Sequence, residues 1–183
     1  VCSSDLKLPQ VNYLVFQNED LKDKEVKNKI INKILKKLNF PVFVKPSNSG
    51  SSLGISKVIN ESEILQALEK AHGIDPRILI EEGLEVREIE CGIIGRSELL
   101  ISEIGEVNYE SDWYDYDSKY NSNNKIIIPA EIDSKITREI KDIAIKSCRA
   151  LNIFGFARVD FFLEKSSNKI LLNEINRSEE HTS

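Results

Sequence analysis

The sequence predicts an α+β fold. Strand and helix patterns are mixed along the 183 residues, and several strand patterns follow one another without a helix between them. This order favours α+β sheets over a single doubly wound α/β sheet. Hydrophobic residues make up 40% of the chain and charged residues 30%, which is ordinary for a globular protein that buries one or two modest cores.

Three helices are predicted from apolar residues that recur at helical spacing. The first covers residues 21–38, and the second follows a capping box of Asn60 and Glu63 and stops near Gly73. The third begins at residue 133 or 134. The predicted strands cover residues 12–16, 40–46, 77–81, 87–94, 99–107, 126–128, 154–164 and 169–176. The polar stretch 108–124 is predicted to be a long loop.

The composition argues against two classes of partner. The formal net charge is −5, and this lack of a basic excess argues against nucleic acid. The sequence contains no apolar run long enough to span a bilayer and no visible signal peptide. The three cysteines lack metal-site spacing and are typical of reduced cytosolic thiols. We therefore predict a cytoplasmic protein without membrane or nucleic-acid partners.

Both ends of the chain are predicted to be foreign to the natural protein. The sequence contains no methionine and begins at Val1, so we expect a truncated piece of a longer protein. Residues 1–6 and 177–183 match no periodic pattern.

The last two strand patterns carry the strongest chemical signal. Strict alternation places Arg158 and Asp160 on one face of the first strand, and Leu172, Glu174 and Asn176 on one face of the second. Two carboxylates and an amide oxygen are ligands of the kind that Mg²⁺ takes, and the arginine could stabilise developing negative charge. A charged pair on a solvated hairpin face explains the same residues, and the pattern alone favours neither interpretation.

Three further segments suit a nucleotide, although each has a plainer explanation. Lys45 ends a buried-type strand, and the following loop at residues 50–52 offers N–H groups and hydroxyls to phosphates, but most such loops are simple turns. Glu81, Glu88 and Glu90 could bind a ribose, although a solvated edge explains them better. The aromatic stretch after residue 108 is typical of a lid over a reaction centre, or of an interaction loop.

The order of these motifs resembles that in D-alanine–D-alanine ligases, which are ATP-grasp enzymes. The motifs are VKPSNSGSSLG, LIEEGLEVREIECGIIG, WYDYDSKY, GFARVDFFL and LLNEIN, and the resemblance covers about residues 8–176. It implies an ATP-grasp fold with two α+β subdomains and ATP bound between them. Residues 7–80 would be part of the central subdomain and residues 81–176 part of the C-terminal catalytic subdomain.

The resemblance also implies an activity. ATP activates the carboxylate of one D-alanine as an acyl phosphate, and the amine of a second D-alanine attacks it to form the dipeptide used for peptidoglycan precursors. The implied cofactors are ATP and two Mg²⁺ ions, with Mn²⁺ as an alternative. The small-molecule partners are ATP and D-alanine, and the full-length protein is expected to be a homodimer.

Residue roles follow by resemblance. Those implied to bind the nucleotide are Lys45 at adenine and phosphate, Gly50, Ser51 and Ser52 in the phosphate loop, Glu81, Glu82 and Leu84 in the adenine hinge, Glu88 at the ribose, and Lys119 in the lid. Those implied to act on substrate are Ser51, Tyr120 and Arg158. Those implied to bind the metal ions are Asp160, Glu174 and Asn176.

Other functions stay open. A ligase that joins D-alanine to D-serine shares a similar lid. Ligases of the D-lactate type resemble the family but lack this lid. Another ATP-grasp carboxylate–amine ligase and a non-catalytic nucleotide-binding module are the remaining alternatives. The family's N-terminal domain, an upstream phosphate lysine and the Thr-x-Pro-Gly run after Asn176 are missing here. The chain by itself is therefore expected to be inactive.

Overall fold

The chain folds into two compact units. The computed structural model describes residues 8–17, 21–49, 53–108 and 125–177. Among these, residues 11–84 form the first unit, and residues 8–10, 85–108 and 125–177 form the second. Each unit combines helix with antiparallel sheet, which confirms the predicted α+β class.

The first unit is a four-stranded antiparallel sheet covered on one face by two helices. Its strand order is β1-β4-β2-β3. Its elements are β1 Tyr13–Gln17, α1 Lys24–Lys37, β2 Val42–Pro46, β3 Ser56–Val58, α2 Glu61–His72 and β4 Arg77–Glu82. Alternate strand residues such as Val42, Val44, Ile78 and Ile80 pack against the helices and form the core of this unit.

A capping asparagine and a glycine mark where α2 begins and ends. The Asn60 carboxamide accepts from Ser62 N at 3.1 Å, and its Nδ2 donates to Glu63 Oε1 at 2.8 Å. The other oxygen of Glu63 accepts from Ile59 N at 3.0 Å, one residue earlier than in a standard capping box. Gly73 ends the helix as predicted, but in a right-handed conformation with φ −64°.

The second unit is built on a larger sheet with one long helix. The strand order is β10-β9-β5-β7-β8, and β6 also pairs with β5. The elements are β5 Val86–Gly95, β6 Leu99–Ile101, β7 Gly105–Asn108, β8 Lys125–Ile127, α3 Ser134–Ala150, β9 Gly155–Glu164 and β10 Ile170–Arg177. Buried residues of α3 such as Ile140 and Ala144 pack against Ile89, Val159 and Phe161 of the sheet. Among the described residues, no helix has both the length and the apolar character needed to cross a membrane.

Three local features differ from the sequence-based expectation. The predicted strand 99–107 is divided into β6 and β7, and the Ser102 hydroxyl in the gap accepts from Gly92 N at 2.9 Å. The short strand β3 was not predicted. The strand β4 extends to Glu82, one residue past the predicted strand 77–81.

Residues at both ends of the described chain join the second unit. Leu8 is buried in its core, and Pro9 O accepts from Leu172 N at 2.7 Å. β10 also continues through Arg177, which is paired with Ala157, one residue past the boundary that we predicted.

Candidate active site

The predicted catalytic residues of the second unit lie on one face of its sheet. This site face is the face opposite α3, and it carries Glu88 and Glu90 of β5, Arg158 and Asp160 of β9, and Glu174 and Asn176 of β10. The strands place these residues in register, since Asp160 is the Cα partner of both Glu90 and Glu174, and Arg158 is the partner of Asn176.

A β-bulge in β10 brings Glu174 and Asn176 onto the site face. Leu172 pairs with Phe161 and is buried on the core side, but the register shifts between Leu172 and Glu174. Asn173 is therefore an extra residue, and Glu174 pairs with Asp160 instead of facing the core. Our prediction that Leu172 shares a face with Glu174 and Asn176 was wrong, because strict alternation does not hold across a bulge.

Asp160 lies at the centre of a hydrogen-bond cluster. Its Oδ1 accepts from Arg158 Nε at 2.7 Å, and its Oδ2 accepts from an Arg158 terminal nitrogen at 2.8 Å. Asn176 Nδ2 also donates to Asp160 Oδ2 at 2.9 Å and to Glu174 Oε1 at 3.4 Å. The structure therefore brings together all four residues that the sequence linked to metal binding and charge stabilisation.

The cluster has an uneven charge environment. The hydrogen bonds from Arg158 to Asp160 raise the pKa of the guanidinium further above its usual value, so Arg158 remains a cation. Burial raises the pKa of the Glu90 carboxyl, Arg158 opposes this shift, and Asp160 adds to it. Glu90 Oε2 lies 3.4 Å from Arg158 Nε, so the guanidinium contacts two carboxylates.

The donor set suits a hard divalent cation. Asp160 and Glu174 offer two carboxylates, and the Asn176 amide lies within hydrogen-bonding distance of both, which fits Mg²⁺. An oxygen ligand from Asn176 requires its amide to turn over, and an exposed side chain can do this. Among the described residues, no group of three or more His, Cys, Asp or Glu side chains could hold a metal ion. The predicted set contains two carboxylates and an amide, so it does not form such a group.

The first unit joins two of its predicted nucleotide residues in an ion pair. Lys45 Nζ lies 2.6 Å from Glu81 Oε2, and the two side chains are 23% and 15% exposed. Both residues lie on the sheet face opposite the helices, because Phe43 is the register partner of Glu81 and alternates with the core residue Val44. A half-buried lysine held in this way presents a fixed positive charge at the end of β2.

The segment after β4 is fixed by its neighbours. The Glu82 carboxylate accepts from Asn12 Nδ2 at 2.7 Å and from Asn39 N at 3.1 Å, so this side chain has a structural role. Gly83 N donates to Pro41 O at 2.7 Å, and a Cβ at Gly83 would lie 2.8 Å from that oxygen. The close approach explains the glycine and shapes the turn that leads to Leu84.

Asp75, which the sequence did not single out, holds the start of the Ser- and Gly-rich loop. It is only 5% exposed, and its carboxylate accepts from Asn48 N at 2.9 Å and from Arg77 N at 2.7 Å. Ser47 N also donates to Arg77 O at 2.9 Å. Gly54 at the far side of the loop has φ +80°, and a Cβ there would lie 2.3 Å from Ile74 Cδ1. The turn after α2 therefore contacts both sides of this loop.

Replacing Asp75 with Asn should reduce stability at neutral pH more than in acid. The hydrogen bond from Arg77, together with the one from Asn48, holds the pKa of Asp75 below its ordinary value of 3.8, against the opposing effect of burial. The carboxylate thus stabilises the fold above that value, and the contribution is lost as the pH falls below it. Urea unfolding of the unsubstituted protein and of Asp75→Asn at pH 7 and pH 3 tests this, with Asp142→Asn, at an exposed position, as the control. The prediction is contradicted if Asp75→Asn lowers the free energy of unfolding by the same amount at pH 7 and at pH 3.

The two cysteines in the described part of the chain lie away from the site face. Cys91 and Cys148 are buried free thiols in the core of the second unit. Burial raises the pKa of Cys91 to about 12 and also raises that of Cys148, so both remain protonated. Five predicted site residues, Gly50, Ser51, Ser52, Lys119 and Tyr120, lie outside the described residues.

Comparison with known proteins agrees with these features. The family model described as D-ala D-ala ligase C-terminus matches residues 3–183. The chain is 91% identical over 173 residues to a D-alanine–D-alanine ligase of Prochlorococcus marinus strain MIT 9301, and 46% identical over 170 residues to one of strain SARG. These matches cover 94% and 92% of this chain, but only 49% and 48% of the relatives. The chain thus spans about half the length of the curated relatives that it matches.

Solved structures place the fold in the same group. The VanG D-Ala:D-Ser ligase from Enterococcus faecalis is 32% identical with a TM-score of 0.80, covering 94% of this chain and 49% of that one. The D-alanyl-alanine synthetase A from Vibrio cholerae is 28% identical with a TM-score of 0.80, covering 94% and 52%. The predicted ATP-grasp fold is confirmed, and the chain belongs to the D-alanine–D-alanine ligase family, of which it represents the C-terminal part.

Proposed function

We propose that the protein containing this chain joins two D-alanine molecules at the expense of ATP, for synthesis of a cell-wall precursor. The first carboxylate takes the γ-phosphoryl group and releases ADP. The second amine then attacks the acyl carbon and gives up a proton, and phosphate leaves. The observation that carries the proposal is the cluster of Arg158, Asp160, Glu174 and Asn176 on one sheet face in a member of this family.

In this proposal Asp160, Glu174 and Asn176 hold two Mg²⁺ ions, with Mn²⁺ as a substitute. The ions would neutralise phosphate charge, as they do in other phosphoryl-transfer enzymes. Asp160 and Glu174 are directly opposite each other on β9 and β10, so the bulge sets the spacing of the two carboxylates. Glu174 is exposed and contacts Asn176 in the described structure, which leaves its carboxylate accessible to a cation.

Arg158 is proposed to stabilise the negative charge that develops on the acyl phosphate and the tetrahedral intermediate. Its hydrogen bonds to Asp160 and its contact with Glu90 hold the guanidinium beside the proposed metal ligands. A charge that is already oriented needs no reorganisation during the reaction, which is the main advantage of such a group.

The proposal also assigns residues to the nucleotide. Lys45 and Glu81 supply a paired charge, the segment from Glu82 to Leu84 supplies backbone groups to adenine, and Glu88 on the site face binds the ribose. The fixed turn at Gly83 supports the adenine role, because rigid backbone groups discriminate best. The proposal extends to residues outside the described part, namely Gly50, Ser51 and Ser52 at the phosphates, Lys119 in the lid, and Ser51 and Tyr120 at the substrate.

The proposal also covers the setting of the enzyme. Its small-molecule partners are ATP and D-alanine, its compartment is the cytoplasm, and its full-length form is a homodimer without membrane or nucleic-acid partners. The net charge of −5 and the free thiols of Cys91 and Cys148 are consistent with this setting.

A second candidate is the joining of D-alanine to D-serine. It is favoured by one observation, the 32% identity to a structure named as a D-Ala:D-Ser ligase. A hydroxyl added to the second substrate is a small change that a pocket rejects weakly, so the two activities differ by a modest factor in selectivity.

The test uses a chimera in which residues 8–176 replace the matching half of the Prochlorococcus marinus MIT 9301 ligase. We expect phosphate release that requires Mg²⁺ and D-alanine, and a preference for D-alanine over D-serine and D-lactate. An otherwise identical chimera with Arg158→Ala should lose most of this activity, on the order of a hundredfold or more.

Each other outcome has a clear meaning. Faster turnover with D-serine than with D-alanine would favour the second candidate. Nucleotide binding without any release of phosphate on addition of amino acids would favour a nucleotide-binding module and overturn the proposed ligase activity.

A further inference from the structure

Arg158 is shared between two carboxylates, and only one of them belongs to the proposed metal site. It forms two hydrogen bonds with Asp160, at 2.7 and 2.8 Å. On its other side, Glu90 Oε2 lies 3.4 Å from Arg158 Nε. The sequence suggested a ribose contact or a solvated edge for Glu90, but this geometry points to a different role.

The surroundings of Glu90 restrict where its carboxylate can lie. Glu90 is the Cα partner of Gly105 on β7 and of Asp160 on β9, so its side chain stands between these two strands. Gly105 has no side chain, and the atoms nearest to where its Cβ would lie are Glu90 Cγ, Ile126 Cγ2 and Ile128 Cγ1. With apolar groups on the β7 side, the carboxylate is directed towards Arg158, and the Glu90 side chain is only 22% exposed.

The placement of two carboxylates directly across a strand pair is unfavourable unless a cation lies between them. Glu90 and Asp160 are such a pair, and Arg158 contacts both. The guanidinium therefore compensates a repulsion that the register of β5 and β9 imposes. When either carboxylate is lost, the other still contacts Arg158.

Both oxygens of Asp160 are occupied by hydrogen-bond donors in the structure. Oδ1 accepts from Arg158, and Oδ2 accepts from Arg158 and Asn176. A metal ion bound to Asp160 would compete for these lone pairs and repel the nearby guanidinium. Arg158 must then loosen its bonds to Asp160, and Glu90 is the described carboxylate that still contacts it.

We propose that Glu90 is a positioning residue that keeps the Arg158 guanidinium on the site face when Asp160 gives its oxygens to a metal ion. This inference rests on the proposed metal role of Asp160. Glu90 acts through Arg158 and needs no contact with the substrate. An arginine displaced by about 1 Å no longer meets the charge that it stabilises, and such a displacement costs on the order of a hundredfold in rate.

The first experiment measures steady-state kinetics of Glu90→Gln in the same chimera. We expect kcat to fall by about 10- to 100-fold, with KM for ATP changed less than about threefold. The reason is that Glu90 positions Arg158, which stabilises the charge of an intermediate and does not bind the nucleotide. Glu90→Asp keeps the charge and should recover part of the loss. Glu106→Gln is the matched control: it breaks the bidentate ion pair with Arg87 on the opposite face of the same sheet and should leave kcat within about twofold.

A double-mutant cycle and a measurement without turnover complete the test. If Glu90 acts through Arg158, Glu90→Gln should cost less than about threefold once Arg158 is already Lys. In the NMR spectrum, the Arg158 Nε–H signal should remain protected when Mg²⁺ and a non-hydrolysable ATP analogue are added to the unsubstituted protein, and should exchange faster in Glu90→Gln.

The outcomes separate the two proposals. If the unsubstituted chimera shows no D-alanine-dependent phosphate release, the proposed function fails and the role of Glu90 falls with it. If that chimera is active, the positioning role alone is overturned by unchanged kcat in Glu90→Gln, by an equal loss in Glu106→Gln, by simple additivity with Arg158→Lys, or by an unaltered Arg158 signal.

Discussion

Replacing Glu174 with Gln is expected to lower D-alanine-dependent ATP turnover by about a thousandfold, because the substitution removes a proposed charged metal ligand while the fold remains. Glu174 is exposed, and its one hydrogen bond in the described structure, at 3.4 Å from Asn176, is weak. The free energy of unfolding should therefore change by less than about 0.5 kcal/mol. The measurement is turnover of the chimera as a function of Mg²⁺ concentration, beside a urea denaturation curve.

Glu98→Gln is the control for this prediction. Glu98 is another exposed glutamate of the second unit, in the turn before β6 and away from the site face, so both turnover and Mg²⁺ dependence should be unchanged. If Glu174→Gln keeps normal turnover and the same Mg²⁺ requirement, Glu174 is not a metal ligand.

Deletion of Ile175 is expected to abolish activity and to destabilise the second unit by about 3 kcal/mol or more. If the bulge at Asn173 is kept, Asn176 takes the core-facing position opposite Val159, and if the bulge is lost, Glu174 takes that position instead. Burying an unpaired amide or carboxylate in place of an isoleucine is costly in either case. Phosphate release and urea unfolding of the chimera measure the two effects.

A single glycine inserted between Ser166 and Ser167 serves as the control for that deletion. It changes the chain length by the same amount, but in the exposed turn between β9 and β10, where added length costs little. The register of β10 after the bulge has no functional role if the deletion variant remains active, or if the insertion is equally harmful.

The bulge also marks how far the sequence predicts this site. Alternation along β9 correctly separates Arg158 and Asp160 from the core residues Val159 and Phe161, because that strand is regular. In β10 the same rule fails at Asn173, since a bulge depends on pairing with a neighbouring strand that the local pattern does not contain.

The sequence also could not predict contacts between segments that are far apart in the chain. Glu90 meets Arg158 only because β5 and β9 are adjacent, and Asp75 meets Asn48 only because the turn after α2 lies beside the end of β2. Each side chain taken alone resembles an ordinary surface acid. Helix positions were easier to predict because caps such as Asn60 act within a few residues.

The way in which the chain divides between the two units has a consequence for biosynthesis. The described sheet, helices and core of the first unit come from residues 11–84, so this unit can fold as soon as that stretch has left the ribosome. The second unit must wait for β9 and β10, and the contact of Pro9 with Leu172 forms only after residue 172 has been synthesised. Until then β5 lacks the partner that lies along its whole length, and its apolar residues, Ile89, Cys91 and Ile93, are open to pairing with other nascent chains. The risk of aggregation during synthesis is therefore concentrated in the interval between β5 and β9.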